Sequence, residues 1–217
     1  MSSPMSAEQK TVGILIFPDV EVLDFCGPFE VFSAARLDET RRRETESPFR
    51  LLLVAETLLP VTTSGGMVVN PHMDFCSSQP LDLLLVPGGW GTRRLLTSAP
   101  HLDWIRRRAA ECELLASVCT GSLLLGAAGL LDGRRATTHW KSLDEMERRF
   151  PKVQVTRNLH VVEEGALWTS AGISAGIDMA LQIVSRVCGE AVARKTAAHM
   201  EYPYPENNQR RVRIEEK

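Results

Sequence analysis

The stretch LLASVCTGSLLLGAAGLL, residues 114–131, decides how the rest of the chain is read. It carries no charge from end to end, and its length sits at the lower edge of a membrane-crossing helix. Its middle, Cys119-Thr120-Gly121-Ser122, is polar and flexible, and the chain offers no second segment of this kind. A buried strand over Leu114–Val118 running into a buried helix over 120–131 accounts for it better. Asp132-Gly133 closes that helix. A thiol therefore stands where a strand ends and a helix begins.

Outward from this join, TVGILIF (11–17), FRLLLVAE (49–56) and LDLLLVPGG (81–89) are near-continuous apolar runs. Such runs belong to strands covered on both faces of a parallel sheet. Helices are expected over 24–37, with Asp24 near the start and Pro28 early, and over 98–112, with Ser98 and Pro100 as start signals. Further helices are expected over 140–149, 173–188 and 190–200. VTTSGGMVVNP (61–71) reads as a hairpin, and the alternating segment 153–172 reads as antiparallel strands turning at Glu164-Gly165. Strands alternating with helices give an α/β fold with a doubly wound, mainly parallel sheet, a flavodoxin-like three-layer sandwich. The expected organisation is one domain over 11–203, a disordered N-terminal tail over 1–10 and a polar C-terminal tail over 204–217. Ligands of such sheets sit at the carboxyl ends of the strands.

Composition sets bounds on function. The 217 residues are 44% hydrophobic and 24% charged, with a net charge of −2. That gives no polyelectrolyte pull toward nucleic acid or an acidic membrane. The arginine runs Arg41–Arg43, Arg106–Arg108, Arg148-Arg149 and Arg210-Arg211 read as solvated helix faces. Five cysteines, odd in number and without a CxxC pair, point to a reducing compartment. With a polar N-terminus that lacks an apolar core, the expected location is the cytoplasm. His72, His101, His160 and His199 are scattered with no ligand spacing, so no metal is expected.

Cys119 on a tight turn would form a nucleophile elbow, with Gly121 letting the helix begin close to the strand. A helix N-terminus favours thiolate and can bring a cysteine from a pKa of ~8.5 to ~3.5–7.5. On that argument Cys119 reacts first with an alkylating agent; the plainer reading is a small buried hydrophobe. Gly88 and Gly89 end the neighbouring strand, and Gly89 N–H with Thr120 N–H would make an oxyanion hole, or the pair is an ordinary strand–helix turn. Asp24, before Gly27-Pro28, is either a helix N-cap or an acid reaching the sulfur, with a raised pKa suited to proton donation. His139 lines a pocket or seam, or is a hydrogen-bonded structural residue.

Taken in order, Leu23-Asp24 with Gly27-Pro28, PGG (87–89), SVCTGSLLLGAAGLLDGRRATTHW (117–140), GISAGID (172–178) and MEY (200–202) resemble the ThiJ/PfpI superfamily. This is a branch of the class I glutamine amidotransferase-like fold, and within it the isocyanide hydratases resemble the chain most. The resemblance spans about Val12–Tyr202. It implies Cys119 as nucleophile, Asp24 as acid, Thr120 as the residue that orients and polarises the site, and Gly172 and Ile173 as one wall of the cleft. It also implies a hydro-lyase of the carbon–nitrogen class, acting on a small molecule without a cofactor, as a homodimer. Peptidase-like members carry histidine after the cysteine, where Thr120 stands, and the glutaminase motif wants glycine where Ser117 stands. The CTG…TTHW pattern is shared with ligand-sensing domains of AraC-type regulators. That alternative calls for a helix-turn-helix region, and residues 204–217 have no apolar periodicity to build one. Another cysteine-dependent, glyoxalase-like activity is the third reading.

Overall fold

The computed structural model describes residues 9–212. Its strands are β1 (Lys10–Leu15), β2 (Phe49–Ala55), β3 (Val61–Thr62), β4 (Val68–Val69), β5 (Met73–Asp74), β6 (Leu83–Val86), β7 (Leu114–Val118), β8 (Arg135–Ala136), β9 (Gln154–Val155), β10 (Val161–Glu164) and β11 (Leu167–Ser170). The helices are α1 (Val22–Ala34), α2 (Thr92–Leu95), α3 (Ala99–Glu111), α4 (Gly121–Ala127), α5 (Leu143–Arg149), α6 (Ala175–Cys188) and α7 (Glu190–His199).

Seven strands form the central sheet in the order β10-β11-β7-β6-β1-β2-β5. Every neighbouring pair is parallel except β10 with β11. The five strands β2, β1, β6, β7 and β11 follow the flavodoxin-like order 2-1-3-4-5, and the fold is the expected α/β sandwich. Strands β6 and β7 are buried at every position, as their unbroken apolar sequences demand of strands covered on both faces. Helices α1, α6 and α7 pack together on one face, and α2 and α3 pack with α4 on the other.

Three expectations need correction. The segment 153–172 is not antiparallel throughout, because β9 pairs in parallel with β8 and only β10 and β11 form the hairpin. The elbow helix is shorter than expected: α4 ends at Ala127, and the chain unwinds through Gly129 at φ 76° before Asp132-Gly133. The arginine runs are not all solvated. Arg108 is 5% exposed and donates to the carbonyls of Ser77 and Gln79, holding the loop that feeds β6.

The expected N-terminal tail lies outside the described residues as far as position 8, whereas Lys10 already pairs with Phe49 in the sheet. At the other end, the polar segment beyond 203 is docked over its described part. Asn208 bonds both main-chain atoms of Val161 at 2.8 and 2.7 Å, and Arg211 meets Asp178 at 2.8 Å. Asp178, fully buried on α6, is also reached by Tyr202 Oη at 3.0 Å and by His160 Nε2 at 2.7 Å.

Candidate active site

Three loops converge at the carboxyl ends of β6, β7 and β11, and Cys119 stands among them. It is a non-glycine residue at φ 56°, a conformation that costs ~1–3 kcal/mol unless its surroundings fix it. The surroundings do so through main-chain contacts. Cys119 N donates to the carbonyls of Ser170 and Ala171, both at 3.2 Å. Its own carbonyl accepts from Ser122 Oγ at 3.0 Å and Thr138 Oγ1 at 2.9 Å. Gly121 passes so close to β6 that a Cβ there would lie 2.0 Å from the Val86 carbonyl oxygen. The elbow therefore requires glycine after Cys119-Thr120.

Asp24 is the third residue of α1, not its N-cap; Glu21 holds that place and makes no side-chain cap. The Asp24 carboxyl is fully buried, and its Oδ2 accepts from Gly88 N at 2.9 Å. It lies beside the Cys119 sulfur. Gly88 has no room for a side chain, since a Cβ would sit 2.6 Å from Thr120 N and 2.8 Å from Asp24 Oδ2. Gly89, at φ 123°, bridges to Val20, and Glu21 N donates to the Gly88 carbonyl. These contacts stitch the Pro87-Gly88-Gly89 turn to the start of α1 and bring Asp24 to the sulfur.

Electrostatics here run against the helix-terminus argument. Burial first, and then the Asp24 carboxyl, push the Cys119 thiol well above its ordinary pKa. The Thr120 N–H and hydroxyl pull it the other way, with less effect than burial. Helix α4 is seven residues long, too short a dipole to overcome a closed site. Asp24 is pushed up to about 8, mainly by burial and against the Gly88 hydrogen bond. At neutral pH the pair holds its protons and is uncharged.

The expected oxyanion hole is altered as well. Gly89 N–H is spent on Thr120 Oγ1 at 3.0 Å, leaving Thr120 N–H directed at the sulfur. Thr92, a residue with no mark in the sequence beyond following Trp90-Gly91, completes this corner. It is fully buried, donates to the Gly89 carbonyl at 2.7 Å and lies 3.3 Å from Thr120 Oγ1. On the other side Gly172 touches the sulfur: a Cβ there would lie 2.7 Å from Cys119 Sγ and 2.6 Å from His139 Cδ2. The Gly172–Ile173 peptide is cis. His139 accepts from Lys141 N through Nδ1 at 3.3 Å, and burial holds its imidazole neutral, with Lys141, Arg210 and Arg93 adding to the effect. Among the described residues no three His, Cys, Asp or Glu side chains gather where one ion could be held.

The DJ-1/PfpI family model matches residues 10–186. The chain belongs to the DJ-1/PfpI family. It is 38% identical to the isonitrile hydratase of Pseudomonas putida over 192 residues, covering 88% of this chain and 78% of that protein. It is also 37% identical over 134 residues to the HTH-type transcriptional regulator CdhR of Pseudomonas aeruginosa, covering 62% of this chain and 39% of the regulator. Among solved structures it matches a ThiJ/PfpI family protein from Pseudomonas syringae at 30% identity and a TM-score of 0.78, over 92% of this chain and 78% of that one. Among the described residues no helix of this DJ-1/PfpI member is long and apolar enough to cross a membrane.

Two measurements follow from the buried, neutral pair. Iodoacetamide at pH 7 should mark the exposed Cys76 before the 6%-exposed Cys119, the reverse of the helix-terminus expectation. Peptide mass spectrometry over a time course reads this, and fast Cys119 labelling at pH 7 would show the thiol to be more acidic than its surroundings imply. The second concerns stability. Asp24 binds its proton more tightly folded, at about 8, than unfolded, near ~3.9, so wild-type stability falls as pH rises between these values. Asp24→Asn keeps an acceptor for Gly88 N–H and has no proton to lose. It should gain on the order of 1–3 kcal/mol over wild type at pH 7.5 and little at pH 4.5. Parallel melting curves at the two pH values would contradict it.

Proposed function

We propose that the protein is a cysteine-dependent hydratase that adds water to an isocyanide and releases an N-formamide. The carrying observation is a buried thiol beside a buried carboxyl that keeps its proton to about 8. Such a pair disfavours charged substrates and suits an uncharged one. The 38% identity to the Pseudomonas putida isonitrile hydratase, isonitrile being another name for isocyanide, supports the same substrate class.

Cys119 sulfur attacks the terminal carbon while Asp24 delivers a proton to that carbon, giving a thioimidate; the thiol proton passes to the Asp24 carboxylate. Water then adds across the C=N bond, its hydroxyl going to carbon and a proton to nitrogen. Collapse of the tetrahedral adduct breaks the C–S bond and returns a proton to sulfur. Isocyanide plus water becomes formamide, with no change of oxidation state overall and no cofactor required. Thr120 donates from N–H, and from its hydroxyl, to the sulfur as charge passes through it.

The similarity to CdhR favours a second reading, a ligand-sensing domain of a regulator. A panel of isocyanides, methylglyoxal and glutamine, assayed on wild type and Cys119→Ala, separates the readings. Isocyanide conversion by wild type alone supports the hydratase. A ligand bound without turnover supports the sensor, and turnover of methylglyoxal alone supports a glyoxalase-like activity.

For the hydratase, kcat/KM should fall as pH rises through about 8, because Asp24 then gives up the proton it delivers. Asp24→Asn should lose about 10²–10⁴-fold in rate, because an amide delivers no proton. Thr120→Val should lose about 10²–10³-fold, and Thr120→Ser should retain part of the activity. A Thr120→Val enzyme as fast as wild type would make the hydroxyl purely structural.

A homodimer in the cytoplasm belongs to the same proposal. Helix α4 has no apolar face to spare, since Gly121–Gly126 are buried inside the chain. The exposed apolar side chains are elsewhere, among them Leu58, Leu59, Val68 and Trp90. Light scattering at micromolar concentration should give twice the chain mass of 24.1 kDa, and a monomer would remove the claim.

A further inference from the structure

The nucleophile turn is held partly by a segment that lies beyond the residues matched to the family. We propose that Arg210 is a positioning residue for Cys119, acting through Thr138. The Arg210 side chain is half-buried rather than solvated, contrary to the reading of the Arg210-Arg211 pair as part of an exposed helix face. Its guanidinium is used as a fork. Nε donates to the Arg157 carbonyl at 2.8 Å, and Nη2 donates to Thr137 Oγ1 at 2.6 Å and to the Thr138 carbonyl at 3.1 Å. Thr138 is fully buried, and its hydroxyl donates to the Cys119 carbonyl at 2.9 Å.

One contact thus separates Arg210 from the main chain of the nucleophile. The Cys119 carbonyl has two hydroxyl donors, Ser122 from within the elbow and Thr138 from outside it. Ser122 moves with α4, so Thr138 alone ties this carbonyl to a different part of the fold. Thr138 is followed by His139, and the His139 ring and the Cys119 sulfur both lie close to Gly172. Without the fork, the segment 137–139 keeps the Thr137 N bond to Thr169 Oγ1 at 2.9 Å, the Thr138 hydroxyl bond to Cys119, the Ser142 N bond to the His139 carbonyl at 2.8 Å and the His139 cap.

Arg210 is in turn held in place. Its N donates to the Asn158 carbonyl, Asn208 brackets Val161, and Arg211 reaches the buried Asp178 that also accepts from Tyr202. Arginine suits this role because it stays charged when half-buried and its planar donors fix direction as well as distance. Lysine offers the charge without the fork. The strained φ of Cys119 gives the arrangement its purpose: a non-glycine residue stays at positive φ only while its neighbours over-determine it.

The turnover arm of the test rests on the hydratase reading; the labelling arm does not. Arg210→Ala, Arg210→Lys, Thr138→Val and the Arg210→Ala/Thr138→Val double variant are compared with wild type. Iodoacetamide labelling of each cysteine is followed from pH 6 to 10, with the half-buried Cys112 and Cys188 as internal controls. Arg210→Ala should speed Cys119 labelling several-fold and shift its pH profile while Cys112 and Cys188 keep wild-type rates. Arg210→Lys should fall between, and the double variant should match Thr138→Val alone, because both act through one contact. With isocyanide, Arg210→Ala should lower kcat roughly tenfold to a hundredfold with KM held within about twofold. Unchanged Cys119 labelling in Arg210→Ala overturns the proposal, as does a rise in step with the two control cysteines, or additive effects in the double variant. If wild type converts no isocyanide, the hydratase reading fails and labelling alone decides the role of Arg210.

Discussion

The left-handed backbone of one residue, Cys119, governs how the carboxyl end of the sheet is built. An L-residue at φ 56° would relax in a loop left to itself. Here the last residue of β11 and the one after it supply two carbonyl acceptors for its N–H, and two hydroxyls supply donors for its C=O. Glycine at 121 lets the chain cross the end of β6, and glycine at 172 leaves space for the sulfur. Glycines 88 and 89 let the neighbouring turn approach Thr120 and the start of α1. Main-chain contacts and missing side chains, more than side-chain contacts, place the thiol.

That construction also sets the charge state of the site. Asp24 is fully buried and Cys119 nearly so, and both groups keep their protons beyond their ordinary range. A short helix terminus cannot offset burial of this depth. The chain is similar to both a hydratase and a transcriptional regulator.

The apolar runs at 11–17, 81–89 and 114–118 made the parallel sheet legible, because a strand buried on both faces has few other sequences open to it. Cys119 could be singled out because the strand–cysteine–small-residue–helix pattern beside the PGG turn marks a strand's carboxyl end. Asp24, by contrast, was open between N-cap and acid, and the roles of Asp24 and Thr120 came with the family resemblance. The direction of the thiol pKa was not legible, since it depends on how deeply the loops from β6 and β11 close over the sulfur. Thr92 and Thr138 look like ordinary threonines, and their roles arise only when main-chain carbonyls 3 and 19 residues away arrive beside them. The segment 208–211 was opaque for the same reason. Its polarity predicts solvent, but Asp178 and the Val161 edge predict partners, and only the folded chain brings the two together.

The sequence distance between these pieces has a consequence for synthesis. Asp24 leaves the ribosome before its partner Gly88, which follows 64 residues later. The Cys119 N–H must then wait for the carbonyls of Ser170 and Ala171, and its outer tie for Arg210. Non-local contacts of this kind form late and together, because loop closure has to precede the contacts that repay it. A growing chain therefore carries Cys119 as an ordinary, flexible thiol for most of its time on the ribosome. Its left-handed backbone acquires all its ties only once the chain through Arg210 is available to fold.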